Sequence, residues 1–322
     1  MSARLVLALA ISLAAALVHA QSYPARPITV IVPFAAGGPG DALMRSFAQA
    51  LTRQLKQSIL IENVGGASGN VGAARAARAA PDGYTLLYHN MGMATAPGLY
   101  KKLDINPLTD FDYIGIMASS PNILVARSDF PAANLKELVA YLKANQTKVT
   151  IADAGIGGPA GLCSVLLMSH TGTKLTMVSY KGTAPAMNDL LGKQIDLLCD
   201  GAATATPQIK AGRVKVFGIS GMRRLATLPD IATLDEQGMT GFDMVVWNAM
   251  YAPRNTARAA MDRLVAAFQA AVVDPDFSAY LERIGSQPAP RELSSPAGLQ
   301  AYVKKEVERW SSLLKAAGAP QD

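Results

Sequence analysis

The sequence predicts an α/β protein of two lobes, each a mostly parallel sheet flanked by helices, with a cleft between the lobes. Three observations support this. Apolar, β-branched strands alternate with amphipathic helices through most of the chain. The alternation breaks at Pro121 and then restarts. The chain has 322 residues, more than one hydrophobic core usually organises.

The elements follow in order. Pro27 to Val32 is a nearly continuous β-branched run, as in a strand buried on both faces. A turn from Pro33 to Asp41 enters a helix whose Leu43, Phe47, Leu51 and Leu55 recur at helical spacing. Ser58 to Glu62 is a second strand, Gly65 to Gly69 a glycine-rich loop, and an Ala-rich helix ends at Pro81-Asp82-Gly83. Tyr84 to Tyr88 is a third strand. After Pro121 come a strand at Ile123 to Ala126, a helix at Leu135 to Ala144 and a strand at Val149 to Ile151. A buried helix (Leu162 to Ser169), a strand (Leu175 to Val178), a helix (Pro185 to Leu191) and two strands (Ile195 to Cys199, Val214 to Ser220) follow. Met244 to Trp247 leads into a helical C-terminus at Ala257 to Val273, Pro275 to Ile284 and Pro296 to Ala317, with Pro275 and Pro296 suited to first helical turns. Residues 21–121 with 247–322 are therefore expected to form one lobe, and residues 122–246 a second lobe inserted into it.

The first 20 residues read as a cleaved signal peptide. Met1 to Arg4 is a short basic start, Leu5 to Val18 is uncharged, and Val18-His19-Ala20 offers a small residue for cleavage before Gln21. The apolar run is shorter than the ~20 residues that span a bilayer. The expected address is the periplasm, with the mature chain free of the membrane. A net charge of +6, from 30 basic and 24 acidic residues, is a mild positive field that favours anions. The positive charges are scattered and not interleaved with aromatics, which argues against nucleic acid. Cys163 and Cys199 could be bridged in an oxidising compartment. Each lies in an apolar stretch, and the reading preferred from the sequence is two separate buried hydrophobes.

One local pattern occurs twice. Gly37-Gly38-Pro39-Gly40 and Gly157-Gly158-Pro159-Ala160 each follow a strand and open a helix. Paired glycines let the backbone turn sharply and approach a ligand. Proline presets the helical φ where its missing N–H would be unpaired anyway. The free N–H groups of the first turn and the positive end of the helix dipole then form an anion site. The same pattern also suits an ordinary strand-to-helix turn.

Against this background the chain resembles the Bug family, the extracytoplasmic solute receptors of tripartite tricarboxylate transporters. The resemblance runs from Ile28–Asp41 through Gly69–Ala73, Ala80–Leu87, Pro121–Val125, Tyr180–Ala186, Asp189–Asp196 and Leu228–Thr233 to Trp247, Tyr251-Ala252-Pro253 and Arg309-Trp310. It implies a hinge-closing periplasmic binding protein fold, type II-like. Such a protein, expected to be monomeric, would hold a small organic carboxylate largely through backbone N–H groups. It would deliver that ligand to the membrane permease subunits of the transporter. The resemblance places Phe34, Ala35, Gly37, Gly38 and Asp41 on one jaw, and Ala154, Gly155, Gly157, Gly158 and Pro159 on the other. Asp41 also suits a second role, accepting hydrogen bonds from loop amides at the start of its helix. Further candidate contacts are Tyr180, Lys181, Thr204, Trp247 as a cleft wall, and His89 at a strand end. The chain departs from the family pattern at Gly158, Pro159 and Gly161, where serines and a histidine are usual, and at Val64-Gly65, Gly201 and Asn248. The second jaw is thereby smoother and roomier, and would tolerate an aromatic acid.

Other function classes fit less well. Gly155 to Ala160 matches a dinucleotide fingerprint, but no Asp or Glu lies between Asp153 and Asp189 to hold a ribose. A hydrolase would need a nucleophile with an oriented base; beyond the signal segment only His89 and His170 remain, in neither a G-x-S-x-G nor an H-E-x-x-H setting, and His170 reads as a helix cap. No cofactor, metal or catalytic group is expected. A ligand-presenting receptor for a sensor protein would use the same pocket chemistry, so transport and sensing both stay open at this point.

Overall fold

The computed structural model describes residues 23–34, 36–153, 157–180 and 183–316. The expected signal peptide lies outside these residues, as do Ala35, Ala154, Gly155 and Lys181. In chain order the first elements are β1 (Ile28–Val32), α1 (Pro39–Leu55), β2 (Ile59–Asn63), α2 (Asn70–Ala77), β3 (Thr85–Asn90), α3 (Gly92–Leu99) and β4 (Phe111–Arg127). Next come α4 (Leu135–Asn145), β5 (Thr150–Asp153), α5 (Pro159–Thr171), β6 (Thr176–Ser179), α6 (Thr183–Leu191), β7 (Leu197–Gly201), α7 (Ala202–Lys210) and β8 (Val214–Ile219). The chain closes with β9 (Val245–Pro253), α8 (Arg258–Val272), α9 (Pro275–Arg283), β10 (Gln287–Pro288) and α10 (Pro296–Ala316).

The strands run β2-β1-β3-β9-β4-β7-β5-β6, with β8 and β10 also paired to β4. Parallel pairing is confined to β2-β1-β3 at one end and β7-β5-β6 at the other. Every ladder made by β4 and β9 is antiparallel, so the sheet is mixed where the sequence suggested mostly parallel strands. The reason lies in β4. The sequence reading began this strand at Ile123; instead one strand runs from Phe111 to Arg127, straight through Pro121. Its first part, Phe111 to Pro121, lies between β9 and β10. Its second part, Asn122 to Arg127, lies between β7 and β8. Pro121 cannot donate to a ladder, and it falls where the strand exchanges its neighbours, which is where a missing donor costs least.

The helices take their positions from apolar stripes. Leu43, Phe47, Leu51 and Leu55 of α1 are all buried, and Phe47 sits edge-on to Phe268 of α8 and Phe277 of α9 at 5.1 and 4.8 Å. Such aromatic contacts add about 0.5–1.5 kcal/mol each beyond burial. α10 covers the opposite face with Leu299, Val303, Trp310 and Leu314. Trp310 donates from Nε1 to the buried Glu306 carboxylate one turn earlier, at 2.8 Å.

The cysteines correct the sequence reading: Cys163 of α5 and Cys199 of β7 are joined in a disulfide, with Cα atoms 6.2 Å apart. α5 lies across the face of β7 that presents Leu197 and Cys199, and both cysteines are fully buried there. That face-to-face placement is tertiary, and the apolar setting of each cysteine did not reveal it.

Candidate functional site

Both Gly-Gly-Pro turns follow the C-terminal end of a parallel strand, β1 for the first and β5 for the second. The two helix entries have nearly the same backbone. Gly38 precedes α1 at φ −74°, ψ 168°, and Gly158 precedes α5 at φ −80°, ψ 160°. Pro39 and Pro159 occupy the first helical positions, and neither entry has a side-chain cap. The N–H groups of both first turns therefore face outward with the positive ends of helices of 17 and 13 residues behind them. Gly37 sits at φ +78°, a conformation that a residue with a Cβ adopts only under strain.

Asp41 braces the first turn from inside. Its carboxylate is 2 % exposed and accepts from the Gly37 N–H at 2.8 Å, Arg45 Nε at 2.9 Å and Asn63 Nδ2 at 2.9 Å. The Arg45 guanidinium, with help from the Gly37 amide and Asn63, holds the Asp41 pKa down to about 2. Asn63 Nδ2 also donates to the Phe34 carbonyl at 3.1 Å, tying the end of β2 to the loop. The loop is thus fixed by side chains beneath it and leaves the helix entry open.

His89 lies under the same loop. It is 1 % exposed, its ring meets that of Phe34 edge-on at 5.6 Å, and its Nδ1 is 3.1 Å from the Asn90 carbonyl. Burial lowers its pKa to about 4, so the ring is neutral at physiological pH, with Nδ1–H donating and Nε2 left as an acceptor. Nε2 has no partner among the described residues, and a Cβ on Gly69 would come within 2.7 Å of it. His89 supports the floor of the loop and adds no positive charge to the site.

α3 runs from beside His89 to the second turn. Asn90 Oδ1 accepts from the Gly92 N–H at 2.9 Å at its start, beside His89. At its other end, Leu99 packs so closely on the second turn that a Cβ on Gly157 would lie 2.7 Å from Leu99 Cδ1.

The remaining candidates have other partners. Tyr180 donates from its hydroxyl to Asp189 at 2.8 Å, and Thr204 donates to the buried Asp200 at 2.5 Å. Burial raises the Asp200 pKa against the opposing pull of Thr204, Thr183 and the Gly201 amide. Trp247 was expected to wall the cleft. It is 1 % exposed and packs edge-on against Tyr302 of α10 at 5.7 Å, on the opposite face of β9 from Asn248. Asn248 in turn accepts from the buried Tyr88 hydroxyl at 2.6 Å, and Tyr88 lies beside the first turn of α1. Residues the sequence reading missed are therefore Tyr88, Asn90 and Asn122. Asn122 is 2 % exposed at the crossing of β4, beside Gly201, and its Nδ2 has no partner among the described residues. The available signal for Asn122 was a polar residue directly before the apolar run Ile123 to Ala126.

The chain is similar to known proteins over nearly its whole described length. A family model described as the tripartite tricarboxylate transporter family receptor matches residues 43–319. The structure of the periplasmic binding protein BugD is 43 % identical, with a TM-score of 0.77 over 93 % of this chain and all of that one. MatC from Rhodopseudomonas palustris, solved with bound malate, is 34 % identical, with a TM-score of 0.75 over 91 % of this chain and all of that one. Another R. palustris protein, solved with adipate, is 31 % identical, with a TM-score of 0.76 over 92 % and 99 % of the two chains. The fold is that of periplasmic binding proteins. The chain belongs to the tripartite tricarboxylate transporter receptor family, whose members are solute-binding receptors.

Proposed function

We propose that the protein is a periplasmic receptor that captures a small organic dicarboxylate between two lobes and passes it to the permease subunits of a tripartite tricarboxylate transporter. The observation that supports this most is the pair of uncapped Gly-Gly-Pro helix entries with matching backbone. One carboxylate is held by the Gly38 amide and those of the first turn of α1, while the Gly37 amide is kept by Asp41. The other meets those around Gly157 and Gly158, with Asn122 Nδ2 as a further donor. Phe34 and Pro159 supply apolar walls for the carbon skeleton, and the neutral His89 keeps the first loop in place. By sequence Ala35 belongs to the first of these loops, Ala154 and Gly155 to the second, and Lys181 to the connection between β6 and α6. Backbone amides favour anions without demanding one chain length, which fits relatives solved with acids as different as malate and adipate. The lobes are residues 21–121 with 247–322, and 122–246; they hinge where β4 and β9 cross. The mature protein begins at Gln21, acts as a monomer and returns its ligand unchanged.

Isothermal calorimetry with malate, adipate and benzoate tests the reading. Saturable binding of at least one diacid is expected, with the acid recovered chemically intact. No heat with any carboxylate, or steady conversion of the acid to product, would refute it.

A further inference from the structure

Where β4 passes from one set of neighbours to the other, a single residue fills the gap. β9 is paired with β4 as far as Pro121, opposite Val245, and β8 is paired with it from Ile123, opposite Ile219. Continued by one step, the antiparallel β4–β9 ladder would bring Asn122 opposite Met244 and let the two exchange a pair of hydrogen bonds. Ser220, the residue after β8, stands between them instead. Its N–H donates to the Asn122 carbonyl at 2.8 Å, and its carbonyl accepts from the Met244 N–H at 2.7 Å. Its hydroxyl accepts from the Asn122 N–H at 2.8 Å and donates to the Met244 carbonyl at 2.6 Å.

The hydroxyl completes the set. One oxygen both accepts and donates, so it relays the Asn122 N–H to the Met244 carbonyl in place of a direct ladder bond. Ser220, Met244 and Asn122 are 0, 1 and 2 % exposed. A side chain without that oxygen would therefore leave both backbone groups unpaired and away from water. The packing is as close as the bonding. A Cβ on Gly221 would lie 3.0 Å from Val245 Cγ1 and 3.3 Å from Pro121 Cβ, so the chain leaves Ser220 directly over the last β4–β9 pair. Ser220 itself belongs to neither Gly-Gly-Pro turn.

We propose that Ser220 is the pivot of the hinge, a positioning residue whose hydroxyl couples β8 to β9 and so sets the orientation of the two lobes in which the acid binds. This rests on the two-lobed reading above, in which β8 lies in one lobe and β9 runs on into the other. Without the hydroxyl, β8 and β9 are free to move separately about β4. The empty protein then spreads over many orientations, and the apparent affinity falls by the fraction of the time that the competent one is populated.

Dipolar electron spin spectroscopy on the mature protein reads the orientation, with spin labels on Thr52→Cys of α1 and Lys143→Cys of α4, both exposed. The native cysteines are bridged and take no label. The wild type should give one narrow distance distribution that shifts when malate or adipate binds. Ser220→Ala should broaden the distribution of the empty protein and weaken the same acid about three- to tenfold by calorimetry. Thr171→Ala removes another buried hydroxyl, at the far end of α5, and should cost stability yet leave the distribution as narrow as in the wild type. Amide exchange in the wild type needs no variant of Ser220: the Asn122, Ser220 and Met244 N–H groups should be equally protected and open as one unit. An acid that binds without moving the wild-type distance would overturn the hinge reading and the pivot with it. If neither acid binds, the carboxylate reading fails, and the widths of the empty proteins still decide the pivot. A distribution that stays narrow in Ser220→Ala, equal broadening in Thr171→Ala, or separate opening of the three amides would overturn the pivot alone.

Discussion

Breaking the Cys163–Cys199 bond should loosen the second anion turn more than any other part of the molecule. The bond closes a loop of 36 residues. Loop-closure entropy for that length, 2.1 + 1.5R ln n, comes to about 13 cal/mol/K, or about 4 kcal/mol at 25 °C. For a chain of this size the unfolding entropy is roughly 0.6 kcal/mol/K, so the melting temperature should fall by about 6 °C. The loss is placed tellingly, because Cys163 lies in the second turn of α5, the helix that Gly158 and Pro159 open. Ligand affinity should therefore fall together with stability. Calorimetric melts would compare oxidised wild type, reduced wild type and Cys163→Ala/Cys199→Ala; the reduced form isolates the cross-link from the volume lost in the variant. Thiol titration of the denatured, unreduced protein should find no free thiol. Two free thiols in protein purified from an oxidising compartment, or melts that coincide with and without reductant, would refute the reasoning.

Gly38→Val and Gly158→Val should each weaken diacid binding by several kcal/mol, through exclusion of the carboxylate and loss of charge-assisted hydrogen bonds at about 1.5–3 kcal/mol apiece, as read by calorimetry. His89 is neutral when folded, with a pKa of about 4 against about 6.5 unfolded, so its contribution is complete above pH 6.5 and is lost as pH falls toward 4. The loss should reach roughly 3 kcal/mol in denaturant melts, and His89→Gln should remove that part of the slope. Asp41 has the opposite kind of shift: its depressed pKa contributes stability above its ordinary value of 3.8 that is lost as pH falls through about 2, and Asp41→Asn should flatten the acid limb of the melting curve there.

What could be read from the sequence was whatever proline and glycine fix locally. Gly38-Pro39 and Gly158-Pro159 dictate their own backbone, and the structure shows two helix entries within a few degrees of each other. The buried stripe of α1 was legible for the same reason, since spacing alone defines a helix face. α3 was not, because Gly92, Pro97 and Gly98 contradict helix propensity. It is held instead by α10, which approaches so closely that a Cβ on Gly98 would sit 3.0 Å from Leu314 Cδ1. The side on which Trp247 falls was equally hidden. β4 and β9 slip register between Tyr113 and Gly115 and again between Ile116 and Ala118, and each slip changes which residues share a face. Seen without these bulges, Trp247 and Asn248 could exchange roles.

The unbroken course of β4 has a mechanical consequence. A receptor whose halves are tied by loops can swing freely, whereas here the same strand is stitched into both ladders, and β9 is bonded along its first part. Relative rotation of the halves would have to be absorbed as torsion of a bonded ribbon. The irregularities at Ile116/Ala118 and Leu124/Val125 bracket the segment where that torsion is most easily stored. Such a ribbon acts as a spring with a preferred angle. Substitutions there that never meet the ligand would reset the resting gap between the two anion turns, and with it the length of acid that fits.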